Sequence, residues 1–308
     1  NTQYPISNTQ YPISNCCMSD RIELLALLQI DGLGLEQVRW LVEAFGSPAG
    51  VFQARPAALA EEGVEPELAQ AIAGVNGDLL WSLEEQLMDY EDTAGVRFVA
   101  RDDAIYPENL TLGDEPPLFL WMRGRLEPED SRAVAVAGSW RATPRGLSNA
   151  GLIGMRLAEQ GYTVVAGLGD DIDVRGLKGA RDGGGRALAV LAGGIEMIPP
   201  EQQKLADRVV ERGAILSGAL RPSDYPSRAR AGTRDDIIAG LAQAVIIVEA
   251  QPEDRGMEMA LRAQEAGRPV LVVKPRDDLP EGNRQLLKMG AAAIEHIGRM
   301  FDVLKEVM

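Results

Sequence analysis

Hydrophobic positions change period along the chain, and the change divides it. From Ser19 onward apolar residues recur at the three-to-four spacing of amphipathic helices, through "RIELLALLQI" and "LEQVRWLVEAF" with "DGLG" between them. Helical patches continue from Pro56 to Asp92. "VRFVARDDAIYPENL" then reads as a strand and turn. "EPPLFLWMRGRL" reads as an extended edge segment, because tandem prolines do not fit a helix interior. The polar stretch Glu127 to Arg132, "EPEDSR", reads as a hinge.

Beyond it the pattern alternates. Short apolar runs at Ala133–Ala137, Thr163–Ala166, Ala187–Leu191, Ala214–Leu216, Ala244–Val248 and Val270–Val273 are separated, for the most part, by amphipathic stretches such as "LSNAGLIGMRLAEQ". That alternation specifies a mostly parallel sheet with helices on both faces. The expected class is α/β, a Rossmann-like doubly wound domain over residues 132–308. Before it come an N-terminal helical domain over 18–93 and a linker with an edge strand over 94–131.

Residues 1–17 stand apart. "NTQYPIS" occurs twice in succession and is followed by "NCC" and Met18. The block has neither the basic nor the apolar region of a signal peptide, so it reads as a tag or upstream readthrough, disordered and foreign to the fold. Cys16 and Cys17 both fall inside it, which leaves the body without cysteine. A disulfide framework and a cysteine metal site are thereby excluded, and a cytoplasmic setting fits best.

Composition narrows the chemistry. The chain has 308 residues, 45% hydrophobic and 25% charged, as in soluble globular proteins. No apolar run approaches the roughly 18 residues of a membrane span. His296 is the only histidine, which argues against a Ser-His triad and leaves zinc only carboxylate partners. It reads as a bystander; no catalytic residue, metal or cofactor is expected. The net charge of −15 opposes a broad phosphate-binding surface but not a local basic cleft.

Such a cleft belongs at the carboxyl ends of the parallel strands. In "AGSWRATPRG" Gly138 permits close approach and Ser139 and Thr143 supply hydroxyls. Arg141 and Arg145 supply charge, and a helix start after Pro144 supplies oriented N–H groups. "AGLGDDID" and "LAGGIEMIPPEQQ" form two further glycine turns, the first lined by acceptors unsuited to a bare phosphate. Neither G-x-G-x-x-G nor a Walker lysine motif occurs. Far upstream, Asp31 to Gly34 has the helix-hairpin-helix pattern, which can present N–H groups to a DNA phosphate. Asp31 and Glu36 flank it with the wrong charge, so it reads as a packing unit.

From Arg21 onward the chain resembles the DprA/Smf family of DNA-processing proteins. "LLALLQIDGLGLEQVRWLVEAFGSP" is similar to the family's N-terminal helical (helix-hairpin-helix, SAM-like) domain, and "YPENL…EPPLFLWMRG" to its linker. "VAVAGSWRATPRG" resembles its Gly-Ser-Arg-x-Ala-Thr turn, and "VVAGLGDDIDVRGLKGA" its Ser-Gly-Leu-Ala-x-Gly-Ile-Asp turn. "IIAGLAQAVIIVEA" and "EGNRQLLKMGA" resemble two later blocks. The resemblance implies an extended Rossmann-like domain and no winged-helix domain after Met308. It also implies single-stranded DNA binding in a basic pocket, a homodimer, and loading of RecA recombinase during DNA uptake, natural transformation and recombination, without catalysis.

The same resemblance implies a binding set. It keeps Gly138, Ser139, Thr143, Gly167, Asp173, Arg234 and Asn283, with Lys178 at a basic position; Trp140, Arg141 and Arg145 complete the turn. The departures fall in the pocket. Trp140 and Asp170 stand where the family has arginine, and Asp171 where it has glycine. Arg-Asn-Arg becomes Arg234, Asp235, Asp236, and Ser-Gly-Ser-Leu-Ile-Thr becomes "DRGMEM". Fewer phosphate contacts weaken DNA binding steeply, whereas Trp140 offers a stacking face. Two alternatives stay open: a cleft for a nucleotide or other phosphorylated small ligand, and a pure protein-interaction module. Pro-Gly-Gly-x-Gly-Thr-x-x-Glu, the motif of a related family that hydrolyses nucleotide N-glycosidic bonds, does not occur.

Overall fold

A computed structural model describes residues 15–111, 115–169, 171–275 and 277–308. Of the segment read as foreign, residues 1–14 lie outside the described residues, and α1 begins at Asn15. The chain divides into two compact units, one ending at Met88 and one spanning Asp89–Met308.

The first unit is helical: α1 (Asn15–Leu28), α2 (Leu35–Phe45), α3 (Pro48–Gln53), α4 (Pro56–Glu61), α5 (Pro66–Ala73) and most of α6 (Gly77–Ala94). Proline opens α3, α4 and α5, where a missing N–H costs nothing and a fixed φ favours the helix. In the Asp31–Gly34 turn Leu33 is buried, as are Val38 and Leu41 on the helix that follows. The Gly34 N–H donates to Gln37 Oε1 at 3.0 Å. The turn is thus engaged in packing and capping.

The second unit begins with β1 (Val96–Ala100), α7 (Glu108–Thr111) and β2 (Phe119–Gly124). It continues through β3 (Ala133–Ala137), α8 (Pro144–Glu159), β4 (Thr163–Gly167), α9 (Asp171–Asp182) and β5 (Ala187–Leu191). Next come α10 (Gln203–Glu211), β6 (Ala214–Ser217), α11 (Arg228–Leu241), β7 (Ala244–Ile247) and α12 (Arg255–Glu265). Last are β8 (Val270–Val273), α13 (Glu281–Lys288), β9 (Ala292–Ile294) and α14 (Met300–Val307).

One nine-stranded sheet has the order β1-β2-β6-β5-β4-β3-β7-β8-β9. Pairings from β6 through β9 are parallel; β1–β2 and β2–β6 are antiparallel. Residues of β3, β4, β5, β6, β7 and β8 are all buried, which explains why these strands read as unbroken apolar runs. Helices α8 and α9 touch backbone to backbone: a Cβ on Gly154 would stand 2.1 Å from the Gly176 oxygen. Only glycine permits that approach, and it brings neighbouring connections of the sheet into contact.

Two expectations need correcting. β2, read as an edge segment, lies between β1 and β6, and the edge strand within 94–131 is β1, with β9 at the opposite edge. The tandem prolines do not prevent this, because they precede the strand. The stretch read as a hinge, Glu127 to Arg132, is pinned by Asp130. Its buried carboxylate accepts from Thr163 Oγ1 (2.8 Å), the Glu127 N–H (2.8 Å) and Arg186 Nη2 (2.7 Å). Burial opposes the Arg186 charge, but the bond and charge of Asp130 outweigh it and raise the guanidinium pKa.

Candidate nucleic-acid interface

From β3 the sheet is built in both directions, toward β4 on one side and β7 on the other. The crevice of a doubly wound fold lies at this switch point, outside the carboxyl ends of the two strands. The loop after β3 carries Gly138 to Thr143, and the loop after β7 carries Glu249 to Asp254.

The two loops are locked together. The Ser139 N–H donates to the Glu249 backbone oxygen at 2.7 Å. A Cβ on Gly138 would fall 2.5 Å from Ile172 Cδ1 and 2.8 Å from that same oxygen, so no larger residue fits. The Glu249 side chain turns onto the first turn of α8. Its carboxylate accepts from the Thr143 N–H at 2.8 Å and from the Thr143 hydroxyl. Thr143 Oγ1 in turn accepts from the Gly146 N–H at 3.0 Å, capping the helix. The carboxylate also fills the space above Gly146, where a Cβ would stand 2.3 Å from Glu249 Cδ. An anion at the start of a 16-residue helix is stabilising by about 0.3–1 kcal/mol, more when partly buried.

Beside this lies a buried set of ions. Asp173 is 0% exposed; its Oδ2 accepts from the Gly167 N–H at 2.9 Å and meets Arg255 Nη1 at 2.6 Å. Arg255 Nη2 reaches Asp235 Oδ1 at 3.1 Å. Arg234, also buried, donates through Nε to the same Asp235 oxygen at 2.9 Å. Among the described residues two arginines therefore face two aspartates. Sequence reasoning selects Asp173, Arg234 and Gly167 as ligand contacts but misses Arg255, Asp235 and Glu249. The missed signal is that an arginine, Arg255, enters "DRGMEM" while an acid, Asp235, enters "RDD". Asp236, read as repulsive to DNA, is paired with Arg262; burial lowers the Arg262 pKa, but Asp236 raises it more.

Outside the floor the surface is different. Trp140 is 54% exposed, and the Arg141 guanidinium lies 4.4 Å from its ring centroid. Arg141 and Arg145 are exposed and, among the described residues, form no ion pair. Lys178 is half-buried on α9, about 10 Å along the axis from the helix start. Asn283 is 0% exposed; its Oδ1 accepts from the Ala250 N–H at 2.6 Å, and its Nδ2 donates to Val248 (3.1 Å) and Val273 (2.8 Å) oxygens. It staples β7 to β8 and presents nothing outward. Asp170 lies outside the described residues.

Further along the carboxyl edge, Leu191, Ala192, Gly218, Ala219, Arg230, Thr233 and Arg234 line a cavity of about 10 Å³, room for about one water. Tyr225 stands 75% exposed in the loop before α11. Arg230 donates to the Tyr225 oxygen at 2.7 Å and pairs with Asp224 at 3.3 Å. No group of three His, Cys, Asp or Glu among the described residues could hold a metal ion. No helix among them is long and apolar enough to cross a membrane.

A helical unit followed by a doubly wound sheet with a lined switch-point crevice defines a Rossmann-like α/β protein. Comparison with known proteins places it further. The family model for DNA recombination-mediator protein A matches residues 97–305, and the chain belongs to this DprA/Smf family. It is 30% identical over 284 residues to protein Smf of Synechocystis sp., covering 90% of this chain and 70% of that protein. The structure of DNA processing protein A from Streptococcus pneumoniae aligns with a TM-score of 0.70 at 24% identity, over 94% of this chain and 98% of that one. DNA processing protein A from Helicobacter pylori, whose structure concerns a unique single-stranded DNA binding mode, aligns with a TM-score of 0.61 at 23% identity, over 68% and 97%.

Proposed function

We propose that this chain binds single-stranded DNA along the rim of the crevice, as a non-catalytic member of its family. The observation that carries the reading is the exposed Trp140–Arg141 stack beside Arg145, cations without acidic partners among the described residues, at the mouth of a doubly wound fold. An aromatic face and adjoining arginines are what a single strand requires, the face for a base and the cations for the backbone. The binding mode of the Helicobacter pylori relative supports the reading. The rim is small and the chain carries −15 overall, so the interaction is weak and salt-sensitive. Delivery of the strand to a RecA-type recombinase, homodimer formation and a cytoplasmic setting belong to the same proposal.

A fluorescent oligothymidylate titrated at two salt concentrations tests it. Two phosphate contacts give a log–log slope of about −1.4 for a single strand. Binding that is absent at low salt, or indifferent to salt, defeats the reading. RecA filament assembly on strands coated with a cognate single-strand-binding protein tests the delivery step; no acceleration by the chain defeats that part alone.

A further inference from the structure

We infer that Glu249 is a specificity-determining residue whose carboxylate occupies the anion position of the switch point and keeps phosphorylated small molecules out of it. The inference concerns the floor of the crevice and does not depend on what the rim binds.

Three observations converge on that side chain. Its carboxylate takes both donors that Thr143 offers, the backbone N–H at 2.8 Å and the hydroxyl. In doubly wound folds, groups at this helix start are the ones that meet a phosphate. The carboxylate fills the volume left by the missing side chain of Gly146, so the room that a phosphate would use is already taken. The backbone that carries it cannot swing away freely. The Glu249 oxygen holds the Ser139 N–H at 2.7 Å, and a Cβ on either Gly138 or Gly256 would lie 2.8 Å from it. A monophosphate ester or inorganic phosphate would have to displace this carboxylate, meeting both its volume and its charge. A polymer reading the rim meets neither.

The test compares thermal unfolding of the full chain in potassium phosphate and in potassium chloride of equal ionic strength. Phosphate stabilises folded chains generally by exclusion from their surface. Wild type and Glu249→Gln, which keeps the shape of the plug, should therefore show the same small, non-saturating rise in phosphate over chloride. Glu249→Ala should melt lower in chloride and gain about 3–6 °C beyond the wild-type rise, saturably, when phosphate reaches ten times its dissociation constant. If Glu249→Ala does not fold in chloride, phosphate should restore its far-ultraviolet circular dichroism. A saturable stabilisation of wild type or Glu249→Gln by phosphate overturns the inference, and so does a Glu249→Ala chain that phosphate neither stabilises beyond the wild-type rise nor refolds. No DNA is present, so failure here and failure of the DNA reading are separate results.

Discussion

The floor and the rim of one crevice solve opposite electrostatic problems. On the floor Asp173, Asp235, Arg234 and Arg255 pair with one another out of water, and the half-buried Glu249 accepts from the start of α8. On the rim Trp140, Arg141 and Arg145 remain exposed, without acidic partners among the described residues. A charge that is already paired in a buried place has little left to give a ligand, since exchanging partners means breaking a desolvated pair. An exposed cation gives up only solvent and counterions. On the proposed reading, ligand binding and fold stability therefore separate by depth in this crevice, although both layers draw on the same few loops.

The largest effect expected from breaking that division is on the floor. Arg255→Met keeps much of the stem volume and removes the charge that faces Asp173 and Asp235. Removing one partner of a buried pair costs about 3–5 kcal/mol, or roughly 6–20 °C in Tm for a unit of this size. Adding Asp173→Asn removes the buried charge that Arg255 had faced and should recover part of that loss, a coupling of about 0.5–3 kcal/mol in a double-mutant cycle. A Tm close to wild type for Arg255→Met, together with weakened DNA binding, would show the floor to be a ligand surface and merge the two layers.

On the rim the largest single effect belongs to Trp140. Trp140→Ala should weaken oligothymidylate binding by about 1–3 kcal/mol, the worth of one base–aromatic stack. Stability should change by no more than about 0.5 kcal/mol, as at other surface positions. Trp140→Phe should retain most of the binding. A marked fall in Tm with unchanged affinity would assign the ring to packing.

How much of this could be read from the chain depends on sequence distance. The central strands are legible because runs such as Ala244–Ile247 are apolar and contain β-branched residues. β9 is not, because Ala292 and Ala293 carry no strand signal and only Ile294 is buried. Rim residues are legible one turn at a time, since Trp140, Arg141 and Arg145 share one loop and helix start. The floor is not. Thr143 and Glu249 are 106 residues apart in the chain, and Asp173 meets Arg255 only because α9 and α12 converge at the switch point. Local pattern gives residue types and turns; it carries no information on which acid will face which base across the crevice. Asp235 and Asp236 show the consequence, reading as repulsion in the sequence while each is engaged by an arginine in the fold.

The smallest expected effect is also the cleanest separation of the two layers. Arg141→Ala combined with Arg145→Ala removes two exposed charges, neither of which holds an ion pair among the described residues. Tm should move by no more than about 0.5 kcal/mol equivalent for each change. Each phosphate contact contributes about 0.7 to the log–log salt slope for a single strand, so losing both should flatten that slope by about 1.4. Affinity should then fall most at low salt and converge with wild type as salt rises. This signature distinguishes lost phosphate contacts from lost stacking, because the Trp140→Ala deficit should persist across salt concentrations. An unchanged slope in the double variant would move the DNA path away from this helix start, toward Tyr225 and the arginines around the loop before α11.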